Sequence, residues 1–163
     1  MIVPNGVLFG SNNAATGLRE LLMTECNLQA VINLPSGVFK PYSGVGTAVL
    51  IFEKGAATKS VWFYDVTADG FSLDDKRTPI KANDIEDVIA KWTKREEGPN
   101  SYRVPFDKIK EYDWSLAASR YKATTTIKTN HDAPAAILRD VLELEKQITE
   151  LGGALLAKIS KIK

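Results

Sequence analysis

The stretch Leu34–Phe52, LPSGVFKPYSGVGTAVLIF, decides how this chain folds. The apolar run Leu28–Leu34 ends at Pro35 and suits a strand buried on both faces. The link from Pro35 to Gly46 is short and broken by Gly and Pro, so it has no room for a crossover helix. The next apolar run, Thr47–Glu53, is therefore expected to return antiparallel to its predecessor. The link presents Phe39, Lys40 and Tyr42 in a loop at the rim of the sheet, where loops run over the surface and carry function. There an aromatic ring can stack on a planar ligand such as a flipped nucleobase, an interaction worth roughly 1–3 kcal/mol per base. The competing readings are a Phe39 tucked under its own loop and a merely solvated Lys40.

On the N-terminal side, Ile2, Val3, Val7, Leu8 and Phe9 read as the tail of a buried strand with a turn at Pro4-Asn5-Gly6. Met1 is accordingly expected to stand inside a longer domain. Leu18, Leu21, Leu22 and Cys26 fall at helical spacing, which predicts an amphipathic helix over about residues 13–26, with Cys26 on its apolar face. Strand, helix, strand in this order predicts a right-handed crossover and a parallel pair.

On the C-terminal side, Ser60–Val66 contains Trp62, Phe63 and Tyr64 and reads as a strand packed on both sides. Asp69-Gly70 is a turn signal, with Phe71–Leu73 expected as the return arm of a hairpin. Asp74, Asp75, Lys76 and Arg77 suggest a turn held by local ion pairs. Asn83, three residues before Glu86, resembles a helix cap ahead of Ile85, Val88, Ile89 and Trp92. Glu96–Ser101 reads as a polar loop, Val104–Tyr121 as irregular with one helical turn, and Thr124–Asp132 as a linker. Beyond Pro134, the residues Ile137, Val141, Leu144, Ile148, Leu151 and Leu155 alternate steps of four and three, the seam of a coiled coil that is expected to meet a partner helix, the competing reading being a helix packed on its own domain. Gly152-Gly153 weakens that helix by about 1 kcal/mol per Gly relative to Ala.

Composition narrows the function classes. At 163 residues and 44% hydrophobic, the chain can bury one core and carry an appendage. A formal net charge of +1 is too small for gripping DNA by bulk electrostatics, so another subunit or segment would supply much of any such grip. The single cysteine excludes an internal disulfide, no apolar run is long enough to cross a bilayer, and the opening residues lack a signal-peptide pattern. A cytoplasmic location follows as the expectation. Gly10–Gly17 has neither the Gly-Lys-Ser/Thr ending nor the G-x-G-x-x-G spacing of a phosphate loop, and Gly44-Val45-Gly46 enters a strand rather than a helix. The only histidine, His131, has no partners at ligand spacing, so no metal site is expected.

Three segments carry a resemblance: PNGVLFG from Pro4, LRELLMTECNLQAVINLPSGVFKPYSGVGTAVLIFEKG from Leu18, and VWFYDVTADGFSLDDKRTPI from Val61. Together they resemble the modification subunit of type I restriction–modification systems, which are S-adenosylmethionine-dependent DNA adenine-N6 methyltransferases. The D-W-S-L-x-x-S-R-Y run, Asp113–Tyr121, is similar to that family's C-terminal block. The resemblance implies an α/β fold: residues 1–122 as the C-terminal portion of a Rossmann-like methyltransferase sheet, mixed, with an antiparallel last strand pair. Residues 123–132 would be a linker and 133–163 a helical tail for subunit assembly. It implies that Phe39 stacks on the extruded adenine, with Lys40 and Tyr42 as candidate DNA contacts, since the adenine amino group is out of reach within a stacked duplex. It also implies DNA, the specificity subunit and the restriction subunit as partners, with no membrane, and assigns Ile137–Leu155 to helix packing against the specificity subunit.

The chain departs from that family in lacking any Pro-Pro pair, and hence the Asn/Asp-Pro-Pro-Phe/Tyr motif that holds the target amino group. That motif and the family's cofactor loop would lie upstream of Met1. The chain by itself is therefore expected to bind no S-adenosylmethionine and to carry no catalytic residue. A reading from another class is a non-catalytic adaptor that recruits a partner through its C-terminal helix.

Overall fold

The computed structural model describes residues 1–122 and 134–160. The chain divides into two units, Met1–Ala123 and Thr124–Lys163. The first holds strands β1 (Ile2–Pro4), β2 (Cys26–Leu34), β3 (Thr47–Lys54), β4 (Ser60–Asp65), β5 (Asp69–Phe71), β6 (Pro79–Asn83) and β7 (Ser101–Pro105). Its helices are α1 (Gly6–Phe9), α2 (Asn13–Thr24), α3 (Ile85–Trp92) and α4 (Phe106–Glu111), with a 3-10 turn at Ala118–Arg120. The second unit contributes α5 (Pro134–Ile159). The expected linker over 123–132 lies outside the described residues.

The main sheet is mixed, in the order β1-β3-β2-β4-β7. β2 is antiparallel to β3, from Cys26 opposite Lys54 to Leu34 opposite Thr47, as the short Pro35–Gly46 link requires. On its other side β2 is parallel to β4, with Ala30 opposite Trp62. Both faces are covered. Leu28, Val31, Leu50 and Phe63 pack with Leu22 and Met23 of α2, Ile109 of α4, and Leu116. On the other face Ala30, Ile32, Trp62 and Tyr64 pack with Val88 and Trp92 of α3. Each large apolar side chain so buried contributes roughly 1.5–3 kcal/mol, and the successive residues Trp62, Phe63 and Tyr64 pack on alternate faces.

Several expectations are corrected. Val7, Leu8 and Phe9 are not strand but belong to the single-turn helix α1. β1 and β2 point the same way without pairing, because β3 lies between them and leaves three-residue β1 at the edge. α2 ends at Thr24, so Cys26 is the first residue of β2, where it is buried. Leu18 and Leu21 stay exposed, and the inward face of α2 carries Leu22, Met23 and the 2% exposed Arg19. The Arg19 guanidinium satisfies itself on carbonyls: Nε donates to Trp114 at 2.9 Å, and Nη1 to Val7 and Gly10 at 2.9 Å each. Nη2 donates to Thr16 Oγ1 at 3.1 Å. Burial lowers the Arg19 pKa, partly offset by Asp113.

The Asp69-Gly70 segment does not fold back on β4. β5 pairs with β6 in a separate two-stranded sheet, and the antiparallel neighbour of β4 is β7. The chain is pulled away after Val66 by Asp84, whose Oδ2 accepts from Thr67 N, Thr67 Oγ1 and Ala68 N. Burial opposes ionisation there, yet these bonds leave the Asp84 carboxyl below its ordinary pKa. Asp84 thus occupies the position before α3, and Asn83 serves the helix from one residue further out, its Oδ1 accepting from Ile85 N at 3.1 Å. The Asp74–Arg77 turn is held chiefly by Asp74 Oδ1, which accepts from Ser72 Oγ and from the Lys76 and Arg77 amides.

The Asp113–Tyr121 block locks the first unit. Asp113 and Trp114 both adopt left-handed φ, 54° and 57°, and reverse the chain so that Leu116 N donates to Leu8 O at 2.8 Å. The Tyr121 hydroxyl donates to Ser115 O at 2.5 Å, and burial pushes its pKa up to about 12.

Arg19→Ala is expected to cost roughly 2–4 kcal/mol in a urea titration, because it strands three interior carbonyls. A folded-state phenol pKa above the unfolded value of about 10 gives stability that is complete below pH 10 and lost as pH rises through about 12. Alkaline unfolding between those values should be less steep in Tyr121→Phe.

Candidate functional site

The loop Pro35–Gly46 leaves the carboxyl end of β2 and returns into β3. Its amides are used internally: Lys40 N donates to Gly37 O, and Tyr42 N and Ser43 N both donate to Phe39 O. Its base is braced just past β1 by Asn5 N donating to Gly46 O at 3.0 Å. A β-carbon at Gly46 would lie 2.7 Å from Asn5 Nδ2, so a larger residue here would push the Asn5 side chain aside. The far side rests on the β5–β6 hairpin. Gly37 has φ +98°, and a β-carbon there would meet Leu73 O at 2.6 Å.

Within this frame Phe39 is 36% exposed and Tyr42 is 95% exposed. Lys40 is not simply solvated: its Nζ pairs with Asp75 Oδ1 at 3.3 Å, tying the loop to the hairpin turn. The three residues singled out from the sequence thus share one loop, in which Lys40 is paired and Phe39 and Tyr42 are exposed. Ile137, Val141, Leu144, Ile148, Leu151 and Leu155 lie on α5, and each is exposed. Gly152 and Gly153 stay inside that helix.

A cavity of about 330 Å³ opens at the same end of the sheet, lined in part by Asn5, Asn33, Asp65 and Lys122. Asn33 Nδ2 donates to Asp65 Oδ1 at 2.8 Å, and Lys122 Nζ lies 3.3 Å from Asp65 Oδ2. Asn5 Oδ1 is buried without a hydrogen-bond partner. The sequence reading passed over these four. Three of them sit at or just past the ends of apolar strands, in IVPN, VINL and WFYD, a polar terminus that marks ligand positions in α/β sheets.

The described residues hold no group of three or more His, Cys, Asp or Glu placed to bind a metal. His131 lies outside them. A β-carbon at Gly10 would sit 2.7 Å from Gly6 O, so the turn before α2 is packed closely against α1. The Asp65 carboxylate is already engaged by Asn33 and Lys122.

Residues 1–130 match the N-6 DNA methylase family. The chain belongs to that family. It is 33% identical over 169 aligned positions to the EcoEI type I restriction enzyme methylase subunit of Escherichia coli, across 96% of this chain and 34% of that protein. It is 30% identical to the EcoKI methylase subunit of Escherichia coli strain K12, across 75% of this chain and 27% of that one. The chain thus spans about a quarter to a third of the length of these curated relatives. Among solved structures, one from a study of assembly and conformational transition in the type I restriction–modification system covers the whole chain and 36% of its own, at TM-score 0.62 and 28% identity. The type I methyltransferase subunit of Streptococcus thermophilus covers 73% of the chain and 25% of its own, at TM-score 0.60 and 27% identity. This N-6 DNA methylase chain is therefore similar to type I modification subunits in both sequence and fold. No helix among its described residues is long and apolar enough to cross a membrane.

Gly37→Ala should strain the loop both through its positive φ and through the Leu73 contact. A loss of roughly 1–3 kcal/mol in thermal unfolding is expected, with amide shifts concentrated in residues 35–46 and 72–75.

Proposed function

We propose that this chain is the C-terminal portion of a type I DNA adenine-N6 methyltransferase subunit and that its 35–46 loop forms one wall of the target-base pocket. The observation that carries this reading is an aromatic-bearing loop at the carboxyl end of buried β2, braced from both sides, in a member of the N-6 DNA methylase family. The main sheet would be the last part of a Rossmann-like methyltransferase sheet, with β2 and β3 as its antiparallel closing pair. Phe39 would stack on an adenine swung out of the duplex, and Tyr42 would meet the strand beside it. Lys40 would reach a phosphate only by leaving Asp75, an exposed pair worth about 0–1 kcal/mol and so easily exchanged. S-adenosylmethionine and the residues acting on the adenine amino group would come from other parts of the subunit. The isolated chain would then be inactive.

The second unit would serve assembly. A helix of 26 residues with six apolar residues at heptad spacing, all exposed, suits packing against helices of a specificity subunit, with a restriction subunit as a further partner of the complex. The same exposed seam is what an adaptor without catalytic function would need. Residues 1–122 would form the methyltransferase part, 123–132 the connection and 133–163 the assembly helix. The soluble cytoplasm is the compartment this function requires.

In the full-length subunit, Phe39→Ala should lower methylation roughly 5- to 150-fold, the equivalent of 1–3 kcal/mol of stacking. The fluorescence of a 2-aminopurine target should change with it, and unaltered turnover and fluorescence would remove Phe39 from the pocket. Leu144→Lys combined with Ile148→Lys should abolish co-purification with the specificity subunit while leaving the melting of the first unit unchanged. Titration of the isolated chain with labelled S-adenosylmethionine should give no saturable binding.

A further inference from the structure

At the opposite end of the strands from the Phe39 loop, a pocket of about 340 Å³ opens beside the starts of β2 and β4. Its lining includes Asn27, Gln29, Lys59, Arg95 and Arg103, three cations and two amides with no carboxylate among them. Of the nearby acids, Glu96 pairs with Lys94 at 3.7 Å, and Glu53 stands outside the lining and accepts from Gln29 Nε2 at 3.3 Å.

Three independent features indicate that the pocket is built around Arg95. First, Arg95 follows α3 and closes it, its N–H donating to Lys91 O at 2.7 Å, with φ at +51°. That helix-ending position is ordinarily given to glycine, so a bulky arginine is held there against a backbone preference. Second, the guanidinium is fixed in place. Nη2 donates to Gln29 Oε1 at 2.6 Å, and its central carbon lies 4.7 Å above the Trp92 ring. Arg95 Nε is nevertheless buried without any acceptor. Third, the β2–β3 ladder slips one residue between Leu28 and Ala30, which leaves Gln29 out of the pairing at the pocket wall that it forms with Asn27. Arg103 extends the cationic surface and is oriented by Nη2 donating to Arg95 O at 3.3 Å. Two guanidinium groups with free donor directions, a lysine and two amide side chains make a surface matched to a tetrahedral oxyanion, which arginine recognises through paired N–H donors.

We propose that this pocket is a phosphate-binding site in which Arg95, Arg103 and Lys59 hold a phosphate group of a nucleotide or of a nucleic-acid backbone. The site stands apart from the target-base loop by the length of β2, so it does not depend on the function proposed for Phe39.

The test is titration of the 163-residue chain with sodium pyrophosphate and, separately, with a short DNA duplex, followed by tryptophan fluorescence and calorimetry. Saturable pyrophosphate binding in the millimolar range or tighter is expected, weakening with added salt. Arg95→Gly keeps the left-handed backbone comfortable, so it should melt within a few degrees of the parent while losing roughly tenfold or more in affinity. Arg103→Gln should lose affinity similarly and guards against a folding defect in the first variant. If pyrophosphate displaces the duplex, the phosphate belongs to a nucleic-acid backbone. If it binds without competing, the ligand is a free phosphate or nucleotide. Absence of saturable pyrophosphate binding, or equal affinity in both folded variants, would overturn the proposal.

Discussion

Strand β2 is the constraint on which the rest of the first unit depends. It is held antiparallel on one side and parallel on the other, and its side chains enter both packed layers. Such a strand cannot slip its register by one residue without moving Leu28 and Val31 from one layer into the other. That fixity is transmitted to both ends. Its carboxyl end sets the Phe39 loop and the Asn33–Asp65 contact, and its amino end, through the Gln29 bulge, sets the Arg95 pocket. Two candidate sites are thus held by one rigid element, which is how positional accuracy is obtained without rigid loops.

The buried Arg19 plays a complementary part. It gathers α1, α2 and the Asp113–Tyr121 block onto carbonyl oxygens, without a carboxylate in direct contact. A hydrophobic side chain in its place would fill the volume but leave those carbonyls dry, so the charge is tolerated for its donors. The D-W-S-L-x-x-S-R-Y block, singled out by resemblance alone, thereby acquires a structural role as the strap that meets Leu8 and Arg19.

How much of this was legible in the sequence depended on the range of the interaction. The β2–loop–β3 unit was readable because a short link without a helix leaves only an antiparallel return. The double-sided packing of Trp62–Tyr64 was readable for the same local reason. What failed was choice of partner. Nothing in Ser60–Asp65 or Ser101–Pro105 announces that they pair across the intervening β5–β6 hairpin and α3. The end of α2 was overrun because Cys26 is as apolar as the helix face before it, and Arg19 on the inward side broke the usual polarity rule. The Phe39 loop declared itself through its Gly and Pro residues. The Arg95 pocket could not, since Asn27, Lys59, Arg95 and Arg103 meet only after the sheet has formed.

The order of the main sheet leaves β1 and β7 at its two margins. Both of these strands end in proline, Pro4 opposite Thr47 and Pro105 opposite Ser60. Proline offers no amide hydrogen to an incoming chain, so each margin is blunted at one position against the accretion of foreign backbone. At the β7 border this lets the chain display an aromatic-tipped loop and an apolar helix seam with less risk that assembly spreads from that edge, while the β1 border is the side on which the rest of a larger sheet would join.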